Sequence, residues 1–152
     1  MAGTFSQIYI QLVFAVQGRQ SLISEQWEEE LYKYISGIVQ NKGQKMIAIN
    51  GMPDHVHIFI GIKPNCCLSD LVREIKKATN EHIKTRQLTK YAFAWQEGYG
   101  AFSYSHSHID NVVKYIRDQK KHHAKFSFKD EYIGFLNAFH IAHTEEYLFE
   151  WD

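Results

Sequence analysis

KMIAINGMPDHVHIFIGI, residues 45–62, decides the fold. Two apolar runs, 45–50 and 55–62, flank Asn50-Gly51 and Pro53-Asp54, which are turn-forming pairs, so the segment reads as a β-hairpin. Side chains alternate along a strand, so Val56, Ile58, Ile60 and Ile62 face one way and His55 and His57 the other. Upstream, residues 5–16 (FSQIYIQLVFAV) also alternate, with Ile8, Ile10, Leu12, Phe14 and Val16 on one face. Between these strands, helical spacing of Trp27, Leu31, Tyr34, Ile35 and Ile38 predicts a helix from residue 24 to about 41, stopped by Gly43. A second helix, from about 69 to 86, buries Leu68, Leu71, Val72, Ile75, Thr79 and Ile83. A loop with Gly98 and Gly100 leads into a short strand at 100–105. Ser107 with Asp110 has the pattern of a capping box opening a third helix to about residue 123, and 128–138 reads as a fourth, short helix. The order strand, helix, strand, strand, helix, strand defines an α+β fold. It is the ferredoxin-like split βαβ arrangement, a mostly antiparallel sheet with two helices on one face and an added C-terminal helix that bears Tyr115. That fold hosts many activities, so function has to be sought in the residues.

The chain has 152 residues, 45% hydrophobic and 14% aromatic with two prolines, which fits one domain over 1–152 and excludes disorder. No apolar run approaches the ~18 residues of a membrane span. The first residues, MAGTFSQIYIQLVF, lack a basic region followed by a cleavable apolar one, so the expected location is cytoplasmic with no membrane partner. The two cysteines, Cys66 and Cys67, are adjacent and cannot make a disulfide framework. Formal charge is zero, with 17 Lys+Arg against 17 Asp+Glu, and the pI is near 7.1. The balance is uneven along the chain. Residues 68–90 carry six basic and three acidic groups, 111–129 six basic and one acidic, and 130–152 six acids with no Lys or Arg. The middle of the chain can attract an anion and the tail cannot.

Three constellations can carry chemistry. His55 and His57 lie on one strand face roughly 6–7 Å apart, two steps of ~3.3 Å, so both imidazoles can reach one cation; two polar positions on a half-exposed strand would look the same. His106 and His108 repeat the spacing but straddle a helix start. Tyr115 and Gln119 sit one turn apart on the third helix, on the side that also carries His108, Asn111 and His122, away from the Ile109, Val113 and Ile116 stripe. A surface tyrosine would fit that position equally. On the second helix, Arg73, Lys76, Lys77, Asn80 and Lys84 form a narrow stripe with no acid in it, suited either to solvent or to a phosphate backbone. The aromatic stretch 91–99 can stack bases or fill the core, Cys66-Cys67 suits packing, and His140 and His143 fall in the acidic tail. There is no P-loop, Rossmann glycine pattern, nucleophile elbow or CxxC.

Together the HVH strand, the FAWQEGYGAFSYS stretch and the YIRDQ helix resemble the small single-tyrosine HUH transposases of insertion sequences, the transposase A type and its REP-associated tyrosine transposase relatives. The resemblance runs from QIYIQLVF to the closing YLFEWD. It implies that His55, His57 and Gln119 hold a divalent cation, Mg²⁺ or Mn²⁺, and that Tyr115 attacks a scissile phosphate. The product would be a 5′-phosphotyrosine and a free 3′-hydroxyl that later rejoins DNA. It also implies a homodimer, with Tyr115 acting in cis or in trans, on single-stranded DNA with hairpin ends. Contacts to that DNA fall to Arg73, Lys76, Lys77, Lys84, Lys114, Lys120 and Lys121. Two neutral imidazoles and an amide add no negative charge, so a hard ion is expected to bind loosely without DNA. The rival readings are a non-catalytic, domesticated nucleic-acid-binding module of the same fold, a metal-dependent hydrolase using water, and a structural dimer.

Overall fold

The computed structural model describes residues 3–141. His143, the remainder of the acidic tail and the closing YLFEWD lie outside them. Four strands, β1 (Tyr9–Ala15), β2 (Lys45–Met52), β3 (His55–Gly61) and β4 (Gly100–Tyr104), form one sheet in the order β2-β3-β1-β4, with every neighbour antiparallel. That is the ferredoxin-like order expected. Among the described residues no helix is long and apolar enough to cross a membrane.

The period of two along β1 and β3 divides the molecule. Leu12, Phe14, Val56, Ile58 and Ile60 face one side and pack with Leu31, Ile35 and Val39 of α1 (Glu28–Asn41) and with Leu71, Val72, Ile75 and Ile83 of α2 (Leu68–Arg86). Trp95 joins this core, and its indole N–H donates to Thr79 Oγ1 at 2.8 Å, which assigns the aromatic stretch largely to packing; of its aromatic rings Tyr91 alone is exposed, at 60%. The opposite face carries Gln11, Val13, Ala15, His55, His57 and Phe59, all buried. It is covered by α3 (Ile109–Arg117), the single turn α4 (Gln119–His122) and α5 (Phe128–Ala138). Val112 and Ile116 of α3 pack on Phe59, while Phe128, Tyr132 and Leu136 of α5 pack on Val13, Ala15 and Phe102.

Several local expectations change. The turn of the hairpin is Pro53-Asp54 alone, because β2 continues through Asn50 and Gly51 to Met52. Asn50 is used differently: its amide donates to the carbonyls of Ile116 and Arg117, satisfying the end of α3. Gly51 is needed for approach, since a Cβ there would lie 2.3 Å from the His55 carbonyl oxygen and 3.0 Å from Val56 Cα. Ser107 does not cap a helix. Residues His106–His108 form a 3₁₀ turn, and the Ser105 and Ser107 hydroxyls meet His108 Nδ1 instead. The third helix is interrupted at Asp118, and its buried stripe is Val112 and Ile116 rather than Ile109 and Val113. The fourth helix is real and is capped by Ser127, whose hydroxyl accepts from the Asp130 N–H.

Gly51→Ala is expected to lower stability by at least about 2 kcal/mol, because the added methyl meets backbone that cannot yield locally. Urea unfolding checks this, and a midpoint unchanged from wild type contradicts the reading.

Candidate active site

β3 is the central strand beside β1, so both of its faces are covered and its histidines are not half-exposed: His55 is 1% and His57 0% accessible. Each imidazole is anchored through Nδ1. His57 Nδ1–H donates to Gln11 Oε1 at 2.7 Å, and the Gln11 amide N–H donates to the Tyr104 hydroxyl at 3.0 Å. His55 Nδ1–H donates to Asp54 Oδ1 at 2.7 Å, and Asp54 is steadied by Arg19 at 3.5 Å. A carboxylate or amide on the far nitrogen is how proteins aim an imidazole's other nitrogen. Here both Nε2 atoms aim at α5.

What they meet is Glu131. Its Oε1 lies 3.0 Å from His57 Nε2, 3.1 Å from His123 Nε2 and 3.5 Å from His55 Nε2. Its Oε2 accepts from the Tyr115 hydroxyl and, at 3.0 Å, from the Gln119 amide. His55, His57, His123 and Glu131 thus offer one ligand atom each, all within 4.8 Å of one another. The His55 Nε2 and Gln119 Oε1 atoms are buried without a hydrogen-bond partner. Burial alone would raise the Glu131 carboxyl, but His57, His123 and His55 outweigh it and hold it well below the usual carboxylate range. Burial pushes His57 down despite Glu131, whereas for His55 the Asp54 and Glu131 carboxylates overcome burial and raise it. The Tyr115 phenol is raised by burial and by the Glu131 charge, so it is protonated at neutral pH.

Tyr115 stands beside the pair within a single chain, with ring centroids 6.0 Å from His57 and 4.4 Å from His122. A cavity of about 220 Å³, whose lining includes Gln11, Tyr104, Asn111 and Tyr115, opens beside it. His108 and Asn111 share this side, as their spacing predicts, whereas His106 lies tilted against Tyr9. Three site residues were not singled out in the sequence. Gln11 and His123 left only faint traces there, a polar position in an apolar strand and a histidine at the end of a basic helix, and Glu131 had none beyond the acidic tail.

The basic residues are divided by the sheet, those of α2 on one side and those of α3 and α4 on the other. Lys76 is committed internally: its ammonium donates to the carbonyls of Gln96 and Gly98 at 2.8 and 2.7 Å, and burial brings it down to about 8. Lys120 donates to Glu28 Oε2 and the Gly51 carbonyl. Arg73 pairs with Asp70 at the surface, while Lys77, Lys84, Lys114 and Lys121 are exposed.

The buried HxH pair on the central strand of a ferredoxin-like sheet, with its neighbouring carboxylate, fits an HUH motif. The chain belongs to the IS200-like transposase family, whose model matches residues 4–119. It is therefore a transposase, of a class of enzymes that cleave and rejoin DNA and that are in general metal-dependent. It is 24% identical over 122 residues to the ISDra2 transposase TnpA of Deinococcus radiodurans, covering 77% of this chain and 87% of that protein. Its fold is similar to that of a crystallised transposase-type protein from Deinococcus radiodurans, with a TM-score of 0.64 at 21% identity over 78% of this chain and 95% of that one. It is also similar to a REP-associated tyrosine transposase bound to a REP hairpin, with a TM-score of 0.60 at 17% identity over 81% and 74%.

Lys76→Ala is expected to cost about 1.5–3 kcal/mol of stability through its lost charged hydrogen bonds, and Lys77→Ala nearly nothing. Parallel urea titrations check this, and equal effects contradict it.

Proposed function

We propose that this transposase cleaves and rejoins single-stranded DNA through a 5′-phosphotyrosine on Tyr115, using hairpin-bearing ends of an insertion sequence. One observation carries the reading. The Tyr115 hydroxyl and the Nε2 atoms of His55 and His57 converge on a single carboxylate, so the phenol and the imidazole pair face one anionic centre.

The residues fit a divalent cation, Mg²⁺ or Mn²⁺. His55 and His57 would hold it through Nε2 and Gln119 through its unpartnered Oε1. When bound, the cation supplies a Lewis acid that polarises and orients the phosphate. The chain's own residues do the rest. Asp54 and Gln11 fix the two imidazoles. His57 and His122 bracket the Tyr115 ring, and Glu131 Oε2 takes the hydrogen bond of the phenol and so directs its proton. Tyr115 Oη attacks phosphorus, the bond to O3′ breaks, and the leaving O3′ takes a proton. The 3′-hydroxyl can reverse the step on the same or another 5′ end. One phosphodiester is exchanged for another, so no external energy source is needed.

Lys114 and Lys121 are exposed on α3 and α4, the helices that carry Tyr115 and Gln119, while Lys77 and Lys84, with Arg73, offer charge on the other side of the sheet. The ammonium groups of Lys76 and Lys120 are engaged by backbone carbonyls, those of Gln96 and Gly98 for Lys76 and that of Gly51 for Lys120. A folded strand can touch both sides by wrapping an edge, and the relative bound to a REP hairpin supports that kind of partner. Each element has two ends and each chain one such tyrosine, which favours a homodimer.

Incubation with labelled single-stranded hairpin DNA and Mg²⁺ is expected to give a denaturation-resistant adduct that Tyr115→Phe abolishes while binding is retained. An adduct that survives Tyr115→Phe, or cleavage that leaves free ends with no adduct, contradicts the assignment and favours a water-using hydrolase; binding with no cleavage favours a binding module. Changing Lys114 and Lys121 to glutamate is expected to weaken hairpin binding at least about tenfold at physiological salt and to flatten its salt dependence. Unchanged binding removes those residues from the interface.

A further inference from the structure

We propose that His123 and Glu131 are metal ligands that extend the HUH pair into a three-imidazole, one-carboxylate site able to take a transition-metal dication in the absence of DNA, with Glu131 bridging the ion and the Tyr115 hydroxyl. This deepens the reading above by adding the metal donors supplied by the segment after the catalytic tyrosine.

The hydrogen-bond inventory argues for it. His55 and His57 have spent their Nδ1 protons on Asp54 and Gln11, since it is Gln11 Oε1, an acceptor, that faces His57 while the amide N–H faces Tyr104. A neutral imidazole with Nδ1–H presents a bare lone pair at Nε2. Three Nε2 atoms nonetheless surround one carboxylate oxygen at 3.0, 3.1 and 3.5 Å, and that of His55 has no hydrogen-bond partner at all. Facing the carboxylate, each such nitrogen needs either its own proton, as an imidazolium, or a shared cation, and one dication can serve all three at once.

The spacing agrees. Two ligands about 2.1 Å from a common ion, at tetrahedral or octahedral angles, lie about 3.0–3.4 Å apart. The carboxylate oxygen stands at nearly those distances from all three nitrogens, and with the four donor atoms within 4.8 Å of one another the ligands need only draw in slightly around an ion. The donor set also chooses the ion, since three imidazoles and one carboxylate suit Mn²⁺, Co²⁺ or Zn²⁺ better than Mg²⁺, which prefers oxygen and keeps its water. The segment is built to present these groups. His123 follows the α4 turn, and Glu131 is brought in because Phe128, Tyr132 and Leu136 dock α5 on Val13, Ala15 and Phe102. Phe128 also stacks on the His55 ring at 3.9 Å, closing that side to water.

The test is titration of chelator-stripped full-length protein, without DNA, with CoCl₂ followed by visible d–d absorption and with MnCl₂ followed by calorimetry. Wild type is expected to take one ion per chain, with imidazole-type cobalt absorption. Glu131→Gln, which keeps the shape, and His123→Asn are each expected to weaken binding at least about tenfold while folding, checked by circular dichroism, is kept. No ion bound by wild type, or unchanged affinity in both folded variants, overturns the proposal. Tighter binding by Glu131→Gln also overturns it, since the carboxylate would then be a plug the ion must expel. The hairpin adduct is scored separately: adduct formation without DNA-independent metal binding removes this inference alone, and metal binding without an adduct removes the proposed function alone.

Discussion

The arrangement depends on one carboxylate enclosed by three imidazoles beneath a sheet. Glu131 is 4% exposed in its side chain and carries its charge there only because His55, His57 and His123 surround it. A buried anion without such partners would be costly, and so would two inward-aimed imidazoles facing each other. The same carboxylate fixes the phenol of Tyr115 and the amide of Gln119. Remove it and four side chains from β3, α3 and α4, together with His123 just beyond α4, lose their common point.

The central position of β3 makes this possible. A strand paired on both edges and covered on both faces is held by backbone bonds along its length, so its side chains are aimed by the sheet rather than by a loop. Its apolar face joins the core under α1 and α2, and its polar face forms the site. Neighbouring strands complete the support: Gln11 on β1 orients His57, Tyr104 on β4 orients Gln11, and Asn50 on β2 holds the end of α3.

The fold was legible because period two and period 3.6 are strong signals, and residues 5–16, 45–62 and 69–86 each show one clearly. The imidazole pair and the tyrosine–glutamine turn were legible for the same reason, as both are local spacings. What was hidden is long-range. His123 stands more than sixty residues from His57, and Glu131 comes from a helix whose acidic surroundings gave no reason to place it inside the protein. The interruption at Asp118 was also hidden, since a sequence with unbroken helical spacing does not announce a break. The basic stripes also do not announce which ammonium groups the fold engages. Lys76 and Lys120 have the right sign and spacing for DNA, but carbonyl oxygens brought near by folding occupy their ammonium groups.

The central claim is that the phenolic oxygen of residue 115 is the atom that becomes bonded to DNA phosphorus. Proteolysis of a reaction with hairpin DNA, followed by mass mapping of the nucleotide-bearing peptide, tests it most directly. The account predicts a 5′-nucleotidyl group on Tyr115 and on none of the other eight tyrosines. A nucleotide mapped to another side chain would contradict it.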